Sequence, residues 1–444
     1  MKLSKEVARL LTESLCDQVT EIYAPVSPIP ANLPALPGLP DQGRGYESLP
    51  ELWSLVVAGS SRLASSLMMG HMDTSPHPVA ALSDAVVSAL NNNLLFRELS
   101  PIASQIEEEL VTLFIERLGL GEDWAGTFAS GGSLANLTAL FAACGGFAEP
   151  GERERTRVYV TDSIHASVKK SAAVLGMTPS QVIIVASDET GRMHPDALNE
   201  CLNDNRNCQN IVVGVLGSTI HGAVDPLDEL GTIARKHGAW FHVDAIYGGA
   251  LAFSSRNRQF LKGIDRADSV VLGPQKWMYV PRLSAVVLIK GQDLFNRSLG
   301  VDLPYSATGE AHRGKWGLQG SRRADAVTLW LTLQTVGLDG IAEMVDNGIA
   351  LTQKFYDLLQ ANDTFQPTHA PDLNLQCFKT RQGLGDEVMS KIHRALTEAG
   401  GPWVSLSRWR GELLFRSVLL SPDIGVADLQ ALLKSLAPLV IQAH

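Results

Sequence analysis

The sequence predicts an α/β fold in which a mostly parallel central sheet is covered by helices, with a small C-terminal α+β domain and an N-terminal helical and extended arm. Two observations carry the sheet. Residues 158–160, 182–185, 211–216, 240–243, 270–272 and 285–289 are short, mostly apolar runs, and helical intervals or longer connections separate most of them. Strands apolar on both faces need cover on both sides, which is the arrangement of a sheet between two helical layers. The second observation is where polar residues fall: His165 follows the run at 158, Ser218 and Thr219 the run at 211, Asp244 the run at 240, and Lys276 the run at 270. Ligands of such sheets collect at the carboxyl ends of the strands, so four strand ends converge on one site. A third observation places the small domain: from about Asp346 onward, helices alternate with short strands at 374–378 and 413–418. The expected boundaries are an arm over 1–50, a large domain over 51–338 and a small domain over 339–444.

In chain order, residues 6–22 carry Val7, Leu10, Leu11, Leu15, Val19 and Ile22 at helical spacing, one apolar stripe of an amphipathic helix. Prolines at 25, 28, 30, 34, 37 and 40 then forbid a helix and favour an extended arm. Two readings stay open: helix and arm reach across to a partner subunit, or they fold back on their own chain. From residue 50 to residue 120 the pattern is mostly helical. His71, Asp73, Ser75 and His77 precede one of these helices; their spacing is no zinc signature, no metal is expected, and they suit the lining of a substrate pocket. In GTFASGGSLANLTALFAAC a short apolar approach ends at Ser130, Gly131, Gly132 and Ser133, where a helix begins. Two glycines let the backbone turn tightly, and the N–H groups of a helix start form a cup for phosphate; the same four residues also suit a plain capped loop. After the strands, residues 291–323 are Gly-rich and polar without periodicity, the mark of a functional or a disordered loop, and 324–338 form a helix.

Composition excludes several classes. The chain of 444 residues has 45% hydrophobic and 19% charged residues, long enough for a large core and ordinary for a soluble protein. A net charge of -10, without clustered Lys and Arg, argues against a nucleic-acid surface. No apolar stretch approaches the length that crosses a bilayer, and MKLSKEVARLLTESL lacks the continuous apolar core of a signal peptide. The five cysteines, Cys16, Cys144, Cys201, Cys208 and Cys377, include no CxxC pair and read as reduced, mostly structural thiols of a cytoplasmic protein.

The chemistry concentrates in residues 239–276, AWFHVDAIYGGALAFSSRNRQFLKGIDRADSVVLGPQK. Asp244 ends one apolar run, and Lys276 lies 32 residues further on, at the end of another. A lysine amine forms Schiff bases with carbonyls, and a buried carboxylate can hold a pyridinium nitrogen protonated, so the pair describes a seat for pyridoxal 5'-phosphate. Read singly, each residue has a plainer use: a strand-end aspartate caps a helix, a lysine beside a tryptophan is an exposed cation, and His165 is a satisfied histidine.

The motifs GHM, NNNLLFRELSPIASQIEEEL, SGGSLANL, DSIHASVKKSA, GSTIHGAVDPLDEL, HVDAIYGG, PQKW and GSRRADAVTLWLTLQTVG stand in this order over most of the chain. Together they resemble the group II pyridoxal-phosphate-dependent amino acid decarboxylases, relatives of aromatic amino acid and glutamate decarboxylases with the aspartate aminotransferase fold, fold type I. The resemblance implies decarboxylation of an L-amino acid to an amine and CO2, and a homodimer with its sites at the subunit interface. It implies that Lys276 holds the cofactor covalently, that Asp244 pairs with the pyridine nitrogen, and that His165 stacks on the ring. Gly132 and Ser133 would cradle the phosphate, and Thr219 would lie beside the ring. Tyr305, 29 residues past the lysine, would return a proton to the substrate carbon. One departure stands out: the family commonly has a histidine before the lysine, whereas this chain has Gln275, which can donate a hydrogen bond but cannot titrate. A carbon-carbon lyase, an oxidative deamination coupled to decarboxylation, and a non-catalytic homologue that binds the cofactor remain as alternative readings at the same site.

Overall fold

In the computed structural model, which describes residues 4–147, 153–301 and 312–442, all six apolar runs become strands of one seven-stranded sheet. In chain order the strands are β1 (Trp124–Ser130), β2 (Thr156–Val160), β3 (Val182–Ile184), β4 (Gln209–Val215), β5 (Trp240–Ala245), β6 (Ser269–Leu272) and β7 (Ser284–Lys290). Their spatial order is β1-β7-β6-β5-β4-β2-β3. From β6 to β3 every pairing is parallel, as the apolar runs predict. β7 runs antiparallel to both β6 and β1. The reason is the connection: residues 273–283 contain no helix, and a return to a parallel strand needs a crossover of a dozen residues or more. β1 itself was expected only as an approach to the phosphate loop, because WAGTFAS mixes glycine, alanine and threonine with few large apolar side chains. Full-length pairing with β7, from Trp124 opposite Lys290 to Ser130 opposite Ser284, makes it a strand.

The helix Gly132–Ala143 covers one face of the sheet. Its Ala135, Ala139 and Leu140 form one core with Val158, Val160, Ile211, Val213, Val271 and the alternate residues Ala285, Val287 and Ile289 of β7. Small alanines bring this helix close to the strands, so Asn136 on the same helix is carried into the interior as well. The helix Pro101–Leu118 buries Ala103, Ile106, Leu110, Val111 and Phe114 and packs against β1 and β7.

The described chain divides into two compact units: Pro76–Ala350 with Pro371–Leu375, which holds this sheet, and the remainder. In the second unit the N-terminal helix Lys5–Ile22, capped by Ser4 Oγ accepting from Val7 N at 3.2 Å, lies against the helix Leu49–Ala58, where Gln18 Nε2 donates to Ser54 Oγ at 3.0 Å. Residues 24–40, the proline arm, contain neither helix nor strand. The C-terminal strands are β8 (Phe365–Pro367), β9 (Leu375–Thr380), β10 (Ser405–Trp409) and β11 (Glu412–Val418), ordered β10-β11-β9-β8. Phe355, Phe365, Phe378 and Phe415 centre that unit's core, with Phe378 and Phe415 stacked at 5.3 Å. The helix expected over 324–338 begins at Asp325; Gly337, with φ 78°, turns the chain out of the helical path before helix resumes as far as Gln360.

Candidate active site

Because β6, β5, β4 and β2 are parallel neighbours, their carboxyl ends share one edge of the sheet, with Val215 opposite Asp244 and Ala245 opposite Leu272. Asp244 is the penultimate residue of β5 and is buried. Lys276 sits in the turn after β6, its N–H donating to Gly273 O at 2.9 Å. His165 follows β2 as the cap of the helix Ala166–Val174, its Nδ1 accepting from Ser167 N at 3.2 Å. Thr219 is exposed in the turn after β4, which Ser218 closes by accepting from Ala223 N at Oγ (3.1 Å) and from Gly222 N at its carbonyl (2.8 Å). Gly132 opens the helix after β1, and Ser133 is exposed at its first turn.

Ile246 joins three of these segments. A Cβ on Gly132 would come within 3.1 Å of the Ile246 side chain, and one on Gly273 within 2.5 Å of the Ile246 carbonyl. The Gly132 loop, the Asp244 turn and the Lys276 turn are therefore in van der Waals contact, and glycine at 273 is what lets the last two approach. Behind them Tyr247 stacks on Trp277 at 5.2 Å, and Tyr247 Oη donates to Asn374 Oδ1 at 2.6 Å. Trp277 is fully buried, so the residue after Lys276 is anchored. His77 N donates to Tyr279 O at 2.7 Å, which fixes the far end of the same turn.

The polar contacts form one connected set. Asn136 Nδ2 donates to Asp244 Oδ2 at 2.9 Å and to Ser167 Oγ at 3.0 Å, and Ser167 Oγ lies 2.7 Å from His165 Nδ1. Ile246 N donates to the other oxygen, Asp244 Oδ1, at 3.2 Å. Asn136 Oδ1 faces His242 Nε2 at 3.0 Å, and His242 Nδ1 faces Ser269 Oγ at 2.8 Å. Burial pushes the His242 imidazole down to about 4, against the opposing pull of Asp244 and its bond to Ser269, so the ring is neutral near pH 7. Asp244 and His165 are thus brought together through two side chains, Ser167 and Asn136. Those two, with His242 and Ser269, escaped the sequence reading. The usable signal was a polar residue inside an otherwise apolar buried segment: Asn136 among the alanines and leucines of its helix, and His242 within WFHVDA.

Of the remaining candidates, His77 caps the helix Pro78–Leu90 by accepting from Val79 N at 3.3 Å, and burial lowers its pKa. His71 belongs to the other unit, 5.3 Å from the Trp403 ring, as do Asp73 and Ser75. The four therefore do not all belong to one unit. Tyr305 lies outside the described residues.

The arrangement fits pyridoxal 5'-phosphate. The helix start at Gly132 has no side-chain cap, so its first N–H groups face outward as donors for a phosphate, helped by the positive end of the helix dipole. Gly131 reaches that turn at φ 86°. Gln275 is buried beside Gly273 in the Lys276 turn, and its amide Nε2 is the atom that can donate to a phosphate.

A helix-covered, largely parallel sheet with an aspartate and a lysine on adjacent strand ends is the architecture of fold type I pyridoxal-phosphate enzymes. Residues 52–381 match the pyridoxal-dependent decarboxylase conserved domain. The chain belongs to that family, and its activity is the pyridoxal-phosphate-dependent decarboxylation of an amino acid. It is 30% identical over 406 residues to the L-2,4-diaminobutyrate decarboxylase of Rhizobium meliloti (strain 1021), over 86% of this chain and 80% of that protein. It is 27% identical over 472 residues to an acidic amino acid decarboxylase of Xenopus tropicalis, over 97% of this chain and 91% of that one. Among solved structures, Oryza sativa TDC with PLP and tryptamine matches with a TM-score of 0.91 at 21% identity, over 100% of this chain and 99% of that one, a likeness of fold.

Proposed function

We propose that the strand-end residues divide the work of decarboxylation as follows. Bound pyridoxal 5'-phosphate supplies an electron sink for the pair left on the substrate carbon when CO2 departs. Lys276 would hold the cofactor through Nζ. Asp244 keeps the pyridine nitrogen protonated, which is what makes the ring a strong sink. His165 covers one ring face, and Thr219 lies beside the ring. Gly132, Ser133 and Gln275 grip the phosphate. Tyr305 returns the proton to the substrate carbon. By fixing the substrate relative to the cofactor, these residues would decide which bond breaks, so the protein would select the reaction chiefly by positioning.

The observation that carries this reading is the buried Asp244 carboxylate, held at Oδ1 by Ile246 N and at Oδ2 by Asn136, one strand away from the Lys276 turn. A charge in so dry a place stabilises a partner cation far more than it would in water. Replacing Lys276→Ala is expected to lower turnover by about a thousandfold or more, since the group that anchors and releases the cofactor is gone. Unchanged turnover in that variant, with amine and CO2 still formed, would end the proposal.

We further propose a homodimer in the cytoplasm, with the active sites at the subunit interface. On the helix Pro78–Leu90, Leu82, Val86 and Leu90 are 47%, 56% and 59% exposed at a spacing of four residues, and Leu99 and Ile102 extend the same kind of surface. A row of this size is the signature of a covered surface, and a self-complementary twofold contact is the commonest way to cover one. Leu33, Leu36 and Leu39 on the proline arm are also exposed, which suits an arm that reaches a second copy. All five cysteines are free, which suits a reducing compartment, and no helix among the described residues is long and apolar enough to cross a membrane.

A further inference from the structure

The direction of every hydrogen bond beneath the site can be worked out from its own atoms. Asn136 sits on the helix Gly132–Ala143 with 1% of its surface exposed, and its two Nδ2 protons go to Asp244 Oδ2 at 2.9 Å and Ser167 Oγ at 3.0 Å. An ionised carboxylate only accepts, so the amide must present nitrogen to Asp244. Asn136 Oδ1 is then an acceptor, and His242 Nε2, facing it at 3.0 Å, must carry the proton. A neutral imidazole with its proton on Nε2 accepts at Nδ1, so Ser269 Oγ donates there at 2.8 Å and itself receives Trp240 Nε1–H at 2.9 Å. At the other end, Ser167 Oγ has accepted from Asn136 and passes its own proton to His165 Nδ1 at 2.7 Å. His165 Nδ1 also accepts from Ser167 N, which excludes a proton on that atom and leaves the ring with its N–H on Nε2.

Resting on the cofactor reading above, we infer that Asn136, His242 and Ser167 are positioning residues: they form a one-way relay that aims a donor at Asp244 Oδ2 and fixes His165 as the Nε2–H tautomer. Turning the amide of Asn136 around would set its oxygen against the Asp244 carboxylate, so the relay reverses only when Asp244 takes up a proton. The charge on Asp244 and the tautomers of two histidines are one coupled state. His242, fully buried and kept neutral by burial, cannot supply that proton near pH 7. The consequence is an Asp244 whose two oxygens both face donors before the cofactor arrives, with His165 already in a single tautomer.

The test is nitrogen NMR of the full-length protein labelled with 15N-histidine, with His165→Gln and His242→Gln used to assign the two resonances. Near pH 7 both rings are expected to show one pyrrole-type Nε2 and one pyridine-type Nδ1. Ser167→Ala should move His165 to a mixture of tautomers and leave His242 unchanged. Asn136→Leu should disturb both rings and weaken pyridoxal 5'-phosphate binding by about tenfold or more, because a buried carboxylate oxygen loses its donor. Should Asn136→Leu not fold, Ser167→Ala, which removes one hydroxyl, decides alone. A wild-type His165 carrying its proton on Nδ1, or a His165 tautomer indifferent to Ser167→Ala, overturns the relay. Wild-type protein that develops no visible band with pyridoxal 5'-phosphate overturns the cofactor reading beneath it, a result the tautomer measurement cannot mimic.

Discussion

His242 illustrates how a single residue ties stability to the site. Folded, its imidazole is pushed by burial down to about 4 from an ordinary 6.5. Between those values the unfolded chain binds a proton that the folded chain refuses, so stability is complete above about pH 6.5 and falls as the pH drops toward 4. Urea midpoints compared at about pH 7 and about pH 5 should show that loss, and His242→Gln should make it smaller. An equal loss in the variant would mean that His242 is not the group being charged. Gln275 raises a different point at the same scale. The family resemblance puts a titratable histidine before the lysine, and this chain replaces it with a side chain that can contact a phosphate but moves no proton. Any acid-base step in this enzyme therefore falls to other residues.

At the scale of elements, a buried ion cluster ties the chain that follows residue 311 to the sheet. Arg322 Nη1 donates to Glu107 Oε1 at 3.2 Å and to Phe128 O at 3.0 Å, while Arg313 Nη1 donates to Gly126 O at 3.2 Å. Thr127 Oγ1 and Phe128 N both donate to the same Glu107 oxygen at 3.0 Å. Burial alone would raise the Glu107 pKa, but the two arginines and the Phe128 N–H outweigh it and hold the carboxyl below its ordinary value. The helix Pro101–Leu118, strand β1 and the segment from Arg313 to Arg322 thus share one charge centre. Glu107→Ala should cost about 3–5 kcal/mol, since it leaves buried guanidinium groups uncompensated, and denaturant titration would read the loss. A loss under about 1 kcal/mol would mean the cluster is not what secures that segment. The sequence made the central strands legible because each is a short, mostly apolar run of the kind a covered strand uses. β1 was not legible, since its small residues acquire burial from pairing with β7. The relay was not legible either: Asn136, Ser167, His242 and Ser269 belong to four separate elements, and only the parallel sheet brings them together. Lys276 and Asp244 were legible because each closes an apolar run with a charge.

At the scale of the whole molecule, the exposed row Leu82, Val86 and Leu90 is the surface on which the proposed dimer rests. Val86→Glu combined with Leu90→Glu should shift the protein from dimer to monomer in sedimentation velocity, because two like charges on one helix face cannot pair with each other and burying them unpaired costs several kcal/mol. A dimer of unchanged stability would move the interface elsewhere on the surface. The central claim, however, is that Lys276 carries the cofactor of an amino acid decarboxylase. The most direct measurement incubates the protein with pyridoxal 5'-phosphate, reduces it with borohydride, and maps the modified peptide, while a parallel sample is given a panel of L-amino acids and its CO2 is trapped. The account predicts a single label on Lys276 and CO2 with matching amine from at least one amino acid. A label on another lysine, or a labelled Lys276 with no CO2 from any amino acid, would contradict it.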